Sequence, residues 1–370
     1  MTPGAVVRLA GACLALLSLG LPSEAASTPS KSTGEIRLEF DYSAAERMVE
    51  AIERPALSEP EARALLENRG IAAMVAKTSV FSPGNTPATF VTDMQSFVAT
   101  HKYPTGDFAL DWIYKFRDQV LALVRKLRAD EDSIRTRIAG RLGRYAPRTG
   151  PVTVKVYFVA GGMSDGFVLD GDPELALFVA LEKASGDKDG VEQNLTHELY
   201  HVLQKASAAQ KPAAVKFAAT LEKQPPLQQL LATTLWEGTA NFAADARETP
   251  GQGPYVSMWR DRYLQNLTPE RIRANFQLFD SVLVDLDRGK TDWAAAYSRG
   301  FGNGSRLYFV GMEMARALTS VRGADYLGEA FARPPTRFFR DYLQLSAADP
   351  SLPRFSADTR RVLEHLPATW

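Results

Sequence analysis

Residues 196–201 read Thr-His-Glu-Leu-Tyr-His, and this H-E-x-x-H pattern decides most of what the sequence implies. Residues four apart on a helix lie on one face, so His197 and His201 can direct their imidazoles to a single metal ion. Glu198 lies about 100° round the helix from His197, near the expected ion but not among its ligands. The chain has 4 histidines, and half of them lie in this one turn. The pattern therefore predicts a metal site on one helix.

The surrounding sequence is typical of a helix. No proline or glycine interrupts the range 191–205, and the range has an apolar flank. That flank consists of Val191, Leu195, Leu199, Val202 and Leu203. Because a pattern with three fixed positions also arises by chance, the alternative is an ordinary helix with two histidines on a partly exposed face.

A third ligand is needed, since catalytic zinc usually takes three protein ligands and keeps a fourth position for water. The continuation H-x-x-G-x-x-H would supply a third histidine, but Gln204 and Ser207 occupy the positions of its glycine and its last histidine. The only cysteine, Cys13, lies in the N-terminal apolar segment. We therefore expect a carboxylate from a second helix.

Glu237 is the strongest candidate, within a helix predicted over Leu227–Ala246 after the Pro-Pro break. Asn241 and Asp245 follow it at spacings of four and eight, so we expect them to share its face and to support the histidines. Small residues would let this helix approach another closely: Gly238, Ala240, Ala243 and Ala244. The alternative is a solvated glutamate, with rival ligands in Asp189, Glu192, Glu222 and Glu248.

The H-E-x-x-H at 197–201 followed by W-E-G-T-A at 236–240 resembles the gluzincin metallopeptidases. It is most similar to the uncharacterised bacterial zinc-dependent peptidases that share an E-G-x-A segment, and the resemblance extends from Val152 to Ala317. Many gluzincins carry aspartate where this chain has Asn241. An amide oxygen can still accept a histidine N–H but adds no negative charge, so we expect Asp245 to share this supporting role.

These residues together predict a zinc peptidase acting on a peptide or protein substrate. Zinc lowers the pKa of its bound water toward about 7 and polarises the scissile carbonyl, while Glu198 is expected to act as general base. For the oxyanion we choose Tyr308 as donor, with Arg306 next and Tyr297 third. A buried structural tyrosine is the alternative for Tyr308. The alternative functions are a weak or inactive zincin that binds peptides or proteins in the cell envelope, and a helical scaffold without metal.

The N-terminus predicts export. Residues 1–25 are typical of a secretory signal, with Arg8 before the apolar run Leu9–Leu21, and residues 26–34 of a flexible leader. We therefore expect a periplasmic or secreted protein, with a lipoprotein anchored at Cys13 as the alternative. The 43 basic and 43 acidic residues balance, which argues against nucleic acid as the main partner. We predict no membrane span in the mature chain, and the oligomeric state is unknown.

The periodicity predicts an α+β protein in which helix dominates. We expect a helical N-terminal subdomain over 35–149 and a metallopeptidase domain over 150–370, with a small mixed sheet before the zinc helix. The gluzincin resemblance implies an edge strand over the cleft, and we assign that edge to Leu175–Leu181. Predicted helices are Ser43–Glu53, Ser58–Asn68, Pro87–Thr100 and Phe108–Leu142, and the other predicted strands are Val152–Val159 and Phe167–Leu169.

Overall fold

The alternating, β-branched segment Val152–Val159 forms strand β2, as its pattern predicts, and pairs on both sides. The other strands are β1 (Ile36–Asp41), β3 (Gly166–Phe167) and β4 (Ala176–Ala180). The sheet has the order β1-β2-β4-β3. β1 and β4 run parallel to β2, whereas β3 runs antiparallel to β4. The predicted small mixed sheet is therefore present.

The structure is a computed structural model that describes residues 34–102, 104–146, 150–169, 172, 174–302 and 304–367. The signal predicted over 1–25 and, except for Gly34, the leader predicted over 26–34 lie outside the described residues. The described residues from Gly34 onward belong to one compact unit. The division into 35–149 and 150–370 stays a prediction.

The assignment of Leu175–Leu181 to the sheet edge is wrong. β4 lies between β2 and β3, and all of its residues are buried. The unbroken apolar run Ala-Leu-Phe-Val-Ala is typical of a strand covered on both faces, so the composition favours an inner position. The short strand β3 takes the edge beside the predicted metal site.

The first half of the chain is mainly helical, as predicted, but it begins with β1. In β1 the side chains of Ile36 and Leu38 are buried and Arg37 is exposed, which is the alternation of an edge strand. The predicted helix Phe108–Leu142 is divided at Asp130. The helices are α1 (Ser43–Ile52), α2 (Glu59–Leu65), α3 (Arg69–Phe81), α4 (Pro87–Thr100), α5 (Leu110–Ala129) and α6 (Glu131–Leu142).

The second half is helical throughout after β4, so the fold class predicted from the sequence, α+β with helix dominating, is confirmed. None of the helices in the described ranges combines the length and the apolar composition needed to cross a bilayer. The helices are α7 (Lys188–Ala208), α8 (Pro212–Ala219), α9 (Pro226–Ala243), α10 (Pro254–Asn266), α11 (Pro269–Asp287), α12 (Trp293–Gly300), α13 (Arg306–Arg322), α14 (Asp325–Ala330), α15 (Pro335–Ala348) and α16 (Ala357–His365).

Helices α9 and α13 approach so closely that glycine is required at their contact. A Cβ atom on Gly238 would lie 2.3 Å from the Cα of Gly311, and one on Gly311 would lie 2.0 Å from the carbonyl oxygen of Thr234. The prediction that small residues let the Glu237 helix approach another helix is therefore confirmed. This contact fixes α9, which carries Glu237, against α13, which carries Tyr308.

Candidate metal centre

Helix α7 is anchored at its N-terminus before it reaches the histidines. The carboxylate of Asp187, at the N-cap, accepts from the backbone N–H of Gly190 at 3.1 Å and from that of Val256 in α10 at 2.8 Å. These bonds satisfy free donors of the first turn and hold α7 against α10. Because α7 is continuous from there to Ala208, His197 and His201 lie on one face of it, one turn apart.

Three potential ligand atoms converge across α7 and α9. The Nε2 atoms of His197 and His201 are 3.3 Å apart, and each is 3.5 Å from Oε2 of Glu237. Zinc bonds of about 2.0–2.1 Å at tetrahedral angles place neighbouring ligand atoms about 3.4 Å apart, which is the spacing observed. The three residues therefore fit a zinc ion, and the sequence prediction that Glu237 approaches both histidines agrees with the geometry.

Gln204 orients the second histidine. Its Oε1 lies 2.8 Å from Nδ1 of His201, and its Nε2 donates to the carbonyl oxygen of Trp236 at 2.8 Å and to Oγ1 of Thr239 at 3.1 Å. Since the amide N–H groups are engaged by α9, its oxygen accepts from Nδ1 of His201, which leaves Nε2 unprotonated toward the ligand cluster. Gln204 thus joins the histidine helix to the glutamate helix.

The hydrogen bond predicted to support the first histidine is not made within the described residues. Nδ1 of His197 and Oδ1 of Asn241 are both buried and have no hydrogen-bond partner within the described residues. The expectation that Asp245 shares the face of Glu237 is wrong, because α9 ends at Ala243. Asp245 instead accepts from the backbone N–H and the Nε of Arg247, both at 3.0 Å.

The electrostatics of the cluster favour a bound cation. Burial lowers the pKa of His201, but the carboxylates of Glu237 and Glu198 outweigh this effect and raise it to about 9. The two effects act in the opposite directions on Glu237. Burial raises the pKa of its carboxyl, but the neighbouring histidines outweigh burial and hold this pKa well below its usual range. A carboxylate that stabilises positive charge on the His201 imidazole would also stabilise a metal cation beside it.

Glu198 lies beside this cluster and beneath the edge strand β3. Burial raises the pKa of its carboxyl, and His201 and His197 partly offset that rise. A Cβ atom on Gly166 of β3 would lie 2.6 Å from Cγ of Glu198, so the strand can pass over the glutamate only without a side chain there. Asn194 fastens the same segment to α7 by donating from Nδ2 to the carbonyl oxygen of Asp165 at 3.1 Å.

The ligand cluster and Glu198 open on one cavity of about 580 Å³. His197, Glu198, His201, Glu237 and Tyr308 line it. The cavity brings together the ligand cluster, the carboxylate beside it and a phenol, which are the groups that the sequence assigns to hydrolysis.

The three oxyanion candidates from the sequence differ in position. Burial, and after it the charge of Glu237, raises the pKa of Tyr308 well above its usual range, in keeping with a hydroxyl close to that carboxylate. The guanidinium of Arg306 instead donates to Oδ1 of Asn275 at 2.8 Å and to a backbone carbonyl of α11. Tyr297 is 43% exposed and is not among the cavity-lining residues. Tyr308 alone of the three lines the cavity.

Sequence reasoning missed two further cavity residues, both on α10. The ring of Trp259 lies 5.8 Å from that of His197, and Arg262 lies over Trp259 at 5.2 Å. The Gln204 contact was also missed, although a polar residue three positions after His201 on the same helix lies on the same face. No local pattern indicates that α10 packs against α7, which is a long-range contact.

Comparison with known proteins identifies a family for this chain. The profile of one family, described as "Putative zinc dependent peptidase (DUF5700)", matches residues 62–351, more than half of the chain. The matched range contains the histidine cluster, Glu237 and Tyr308. Neither the search of curated proteins nor that of solved structures found a match. The chain belongs to the zinc-dependent peptidase family of that description.

Proposed function

We propose that this protein hydrolyses peptide bonds with one zinc ion held by His197, His201 and Glu237 and with Glu198 as general base. The proposal is carried by the triangle of three ligand atoms, which lie 3.3 to 3.5 Å from one another. The carboxylate of Glu198 lies beside this triangle and is not one of the three ligands. When bound there, zinc supplies Lewis acidity, which polarises the scissile carbonyl and lowers the pKa of water. Export of this protein to the periplasm or the medium, predicted from residues 1–25, forms part of the same proposal.

Glu198 carries the proton in this scheme. Its carboxylate takes a proton from the attacking water as the water oxygen bonds to the carbonyl carbon. The C–N bond then breaks, and the same proton passes to the leaving nitrogen, so the products are a carboxylic acid and an amine. Gly166 leaves room above Glu198 for this transfer, because any side chain there would contact the glutamate.

Tyr308 stabilises the charge that develops on the carbonyl oxygen. Its hydroxyl donates a hydrogen bond that becomes stronger as the oxygen turns negative, which lowers the barrier without tightening the ground state. The α9–α13 contact at Gly238 and Gly311 fixes Tyr308 and Glu237 on neighbouring helices. The strand edge at β3 offers backbone groups to an extended substrate in place of the strand expected from the sequence.

Metal analysis combined with a peptide assay tests the proposal. The purified protein should contain one zinc per chain and cleave quenched peptides, and a chelator should abolish cleavage. The His201→Ala variant should lose the metal. Glu198→Gln should keep the metal and lose at least about 10²-fold in rate, because an amide cannot accept the proton.

Glu222→Gln is the matched control, since it makes the same chemical change at an exposed glutamate outside the cavity. Full zinc occupancy in His201→Ala would refute the site. Zinc binding without turnover of any peptide would instead favour the alternative of a peptide-binding zincin in the cell envelope. Normal turnover in Glu198→Gln would place the general base elsewhere.

A further inference from the structure

The cavity carries more positive side chains than its proposed chemistry uses. Its lining carboxylates are Asp165, Glu198 and Glu237, of which the last two serve proton transfer and metal binding. Asp165 accepts from the hydroxyl of Tyr255 at 3.1 Å. Four cationic side chains line the same cavity: Lys77, Lys205, Arg262 and Arg333. The substrate therefore meets an excess of positive charge.

Arg262 and Lys77 are the two lining cations without a hydrogen-bonded or ion-paired side-chain partner among the described residues, and the ammonium of Lys77 lies over the ring of Phe81 at 5.3 Å. Of the two, only Arg262 can offer paired N–H donors to a carboxylate. The guanidinium of Arg333 pairs with Glu329, and the ammonium of Lys205 donates to the carbonyl oxygen of Leu169. Arg262 is half-buried and has no hydrogen-bonded or ion-paired partner for its guanidinium in the described part of the chain. The guanidinium instead lies over the ring of Trp259, with Cζ 5.2 Å from the ring centroid. Stacking on an indole leaves the N–H edge of a guanidinium free for another partner.

Arg262 lies close to the proposed metal site, through its contact with Trp259. Trp259 contacts both Arg262 and His197: its ring centroid lies 5.2 Å from Cζ of Arg262 and 5.8 Å from the centroid of the His197 ring. These contacts limit the distance from Cζ of Arg262 to the His197 ring to at most about 11 Å. Three residues of extended peptide at about 3.3 Å per residue span this upper limit to within about 1 Å. Arg262 is therefore within reach of groups close to the scissile bond.

We propose that Arg262 binds a carboxylate of the substrate, so that this protein prefers peptides with negative charge within three residues of the bond it cleaves. A guanidinium and a carboxylate form paired, charge-assisted hydrogen bonds, which fix both charge and orientation. The carboxylate can belong to an aspartate or glutamate side chain or to the chain terminus. The inference rests on the proposed function, because it concerns substrate bound in the same cavity.

Paired peptides test the preference. Each pair of quenched peptides differs at one position, which holds Glu in one member and Gln in the other. The pairs cover the three positions on either side of the scissile bond, so they show at which position a side-chain carboxylate matters. C-terminal acid and amide forms of one short peptide test the terminal carboxylate. The zinc-loaded protein should show a kcat/KM about 10-fold higher for the charged member of at least one pair, and the ratio should shrink as salt rises.

Arg262→Gln should abolish that ratio, whereas Arg271→Gln should retain it, because Arg271 is exposed and outside the cavity. If Arg262→Gln lowers the melting temperature, Arg262→Lys keeps the charge without the paired donors and should show a reduced ratio. Equal cleavage of charged and neutral peptides by the wild type would overturn the inference, as would an unchanged ratio in Arg262→Gln.

A binding measurement separates this inference from the proposed hydrolysis. The zinc-loaded Glu198→Gln variant is titrated with the same labelled peptides, and the Kd is read from fluorescence anisotropy. Tighter binding of the charged peptide that disappears in Glu198→Gln/Arg262→Gln supports the role of Arg262 even if the wild type cleaves nothing. Equal Kd values for both peptides would refute it, whatever the catalytic activity.

Discussion

The Gly311→Ala substitution tests whether the α9–α13 contact sets the geometry of the site. An added Cβ would lie 2.0 Å from the carbonyl oxygen of Thr234 and 2.9 Å from the Cα of Gly238. The first distance is 1 Å below the 3.0 Å that real Cβ atoms respect, so the helices must separate by roughly that amount. Both close neighbours are backbone atoms, which cannot rotate out of the way.

Two opposing effects determine the expected change in the free energy of unfolding. Alanine gains about 1 kcal/mol over glycine within a helix, whereas overpacking at a backbone contact costs about 3 kcal/mol or more. We expect the free energy of unfolding to fall by about 2 kcal/mol, measured by urea denaturation followed by circular dichroism. Because the separation displaces α9, and with it Glu237, from its present position relative to the histidines, zinc affinity should fall at the same time, measured by competition with a chromophoric chelator.

Gly140→Ala is the matched control. A Cβ atom on Gly140 in α6 would meet nothing within 4 Å, so only the helix-propensity gain of about 1 kcal/mol should remain. Zinc affinity should not change in this control. If Gly311→Ala is as stable as the wild type and binds zinc equally well, the close contact does not position the ligands and the reasoning fails.

Three further substitutions are informative: two are in the metal site, and the third is at Glu182, a buried carboxyl elsewhere in the protein. Tyr308→Phe should lower kcat by roughly 10- to 1,000-fold at nearly unchanged stability, whereas unchanged kcat with a lower melting temperature would identify a structural tyrosine. Gln204→Leu should weaken zinc binding by about 10- to 100-fold, and unchanged affinity would show that the bond to His201 is dispensable. Burial raises the pKa of Glu182, which accepts from the N–H of Gly161 at 3.0 Å but leaves Oε1 without a partner. The folded state therefore binds that proton more tightly than the unfolded state, and stability falls as pH rises above 4.5. Glu182→Gln should raise the free energy of unfolding by about 1 kcal/mol at pH 8 and by less at pH 4, and an equal effect at both would show that Glu182 does not titrate differently on folding.

Local patterns predicted the elements that carry the metal site. Val152–Val159 alternates and forms a strand with the same bounds, and the range 191–205 lies within α7. The pair His197 and His201 depends only on helix geometry, and Glu237 depends on a second helix whose small residues allow close contact. These features needed no knowledge of long-range packing.

The errors arose where tertiary contacts override local signals. The edge assignment of Leu175–Leu181 failed because an apolar run does not reveal how many neighbours a strand has. Asp245 was placed by extending helical periodicity past the end of α9, where the chain turns and Arg247 takes the carboxylate. β1 was missed because its partner β2 lies more than a hundred residues away in the chain.

The α9–α13 glycine contact and the Gln204–His201 hydrogen bond affect different features of the metal site. The glycine contact between α9 and α13 fixes the position of the helix that carries Glu237, and a change there must alter packing as well as the metal site. The Gln204 bond sets the rotation and the protonated nitrogen of the His201 ring, and it involves few apolar atoms. Gly311→Ala should therefore change stability and zinc affinity together, whereas Gln204→Leu should change affinity with a smaller loss of stability. Neither residue touches the metal, so this difference in response separates ligand position from ligand orientation as determinants of zinc binding.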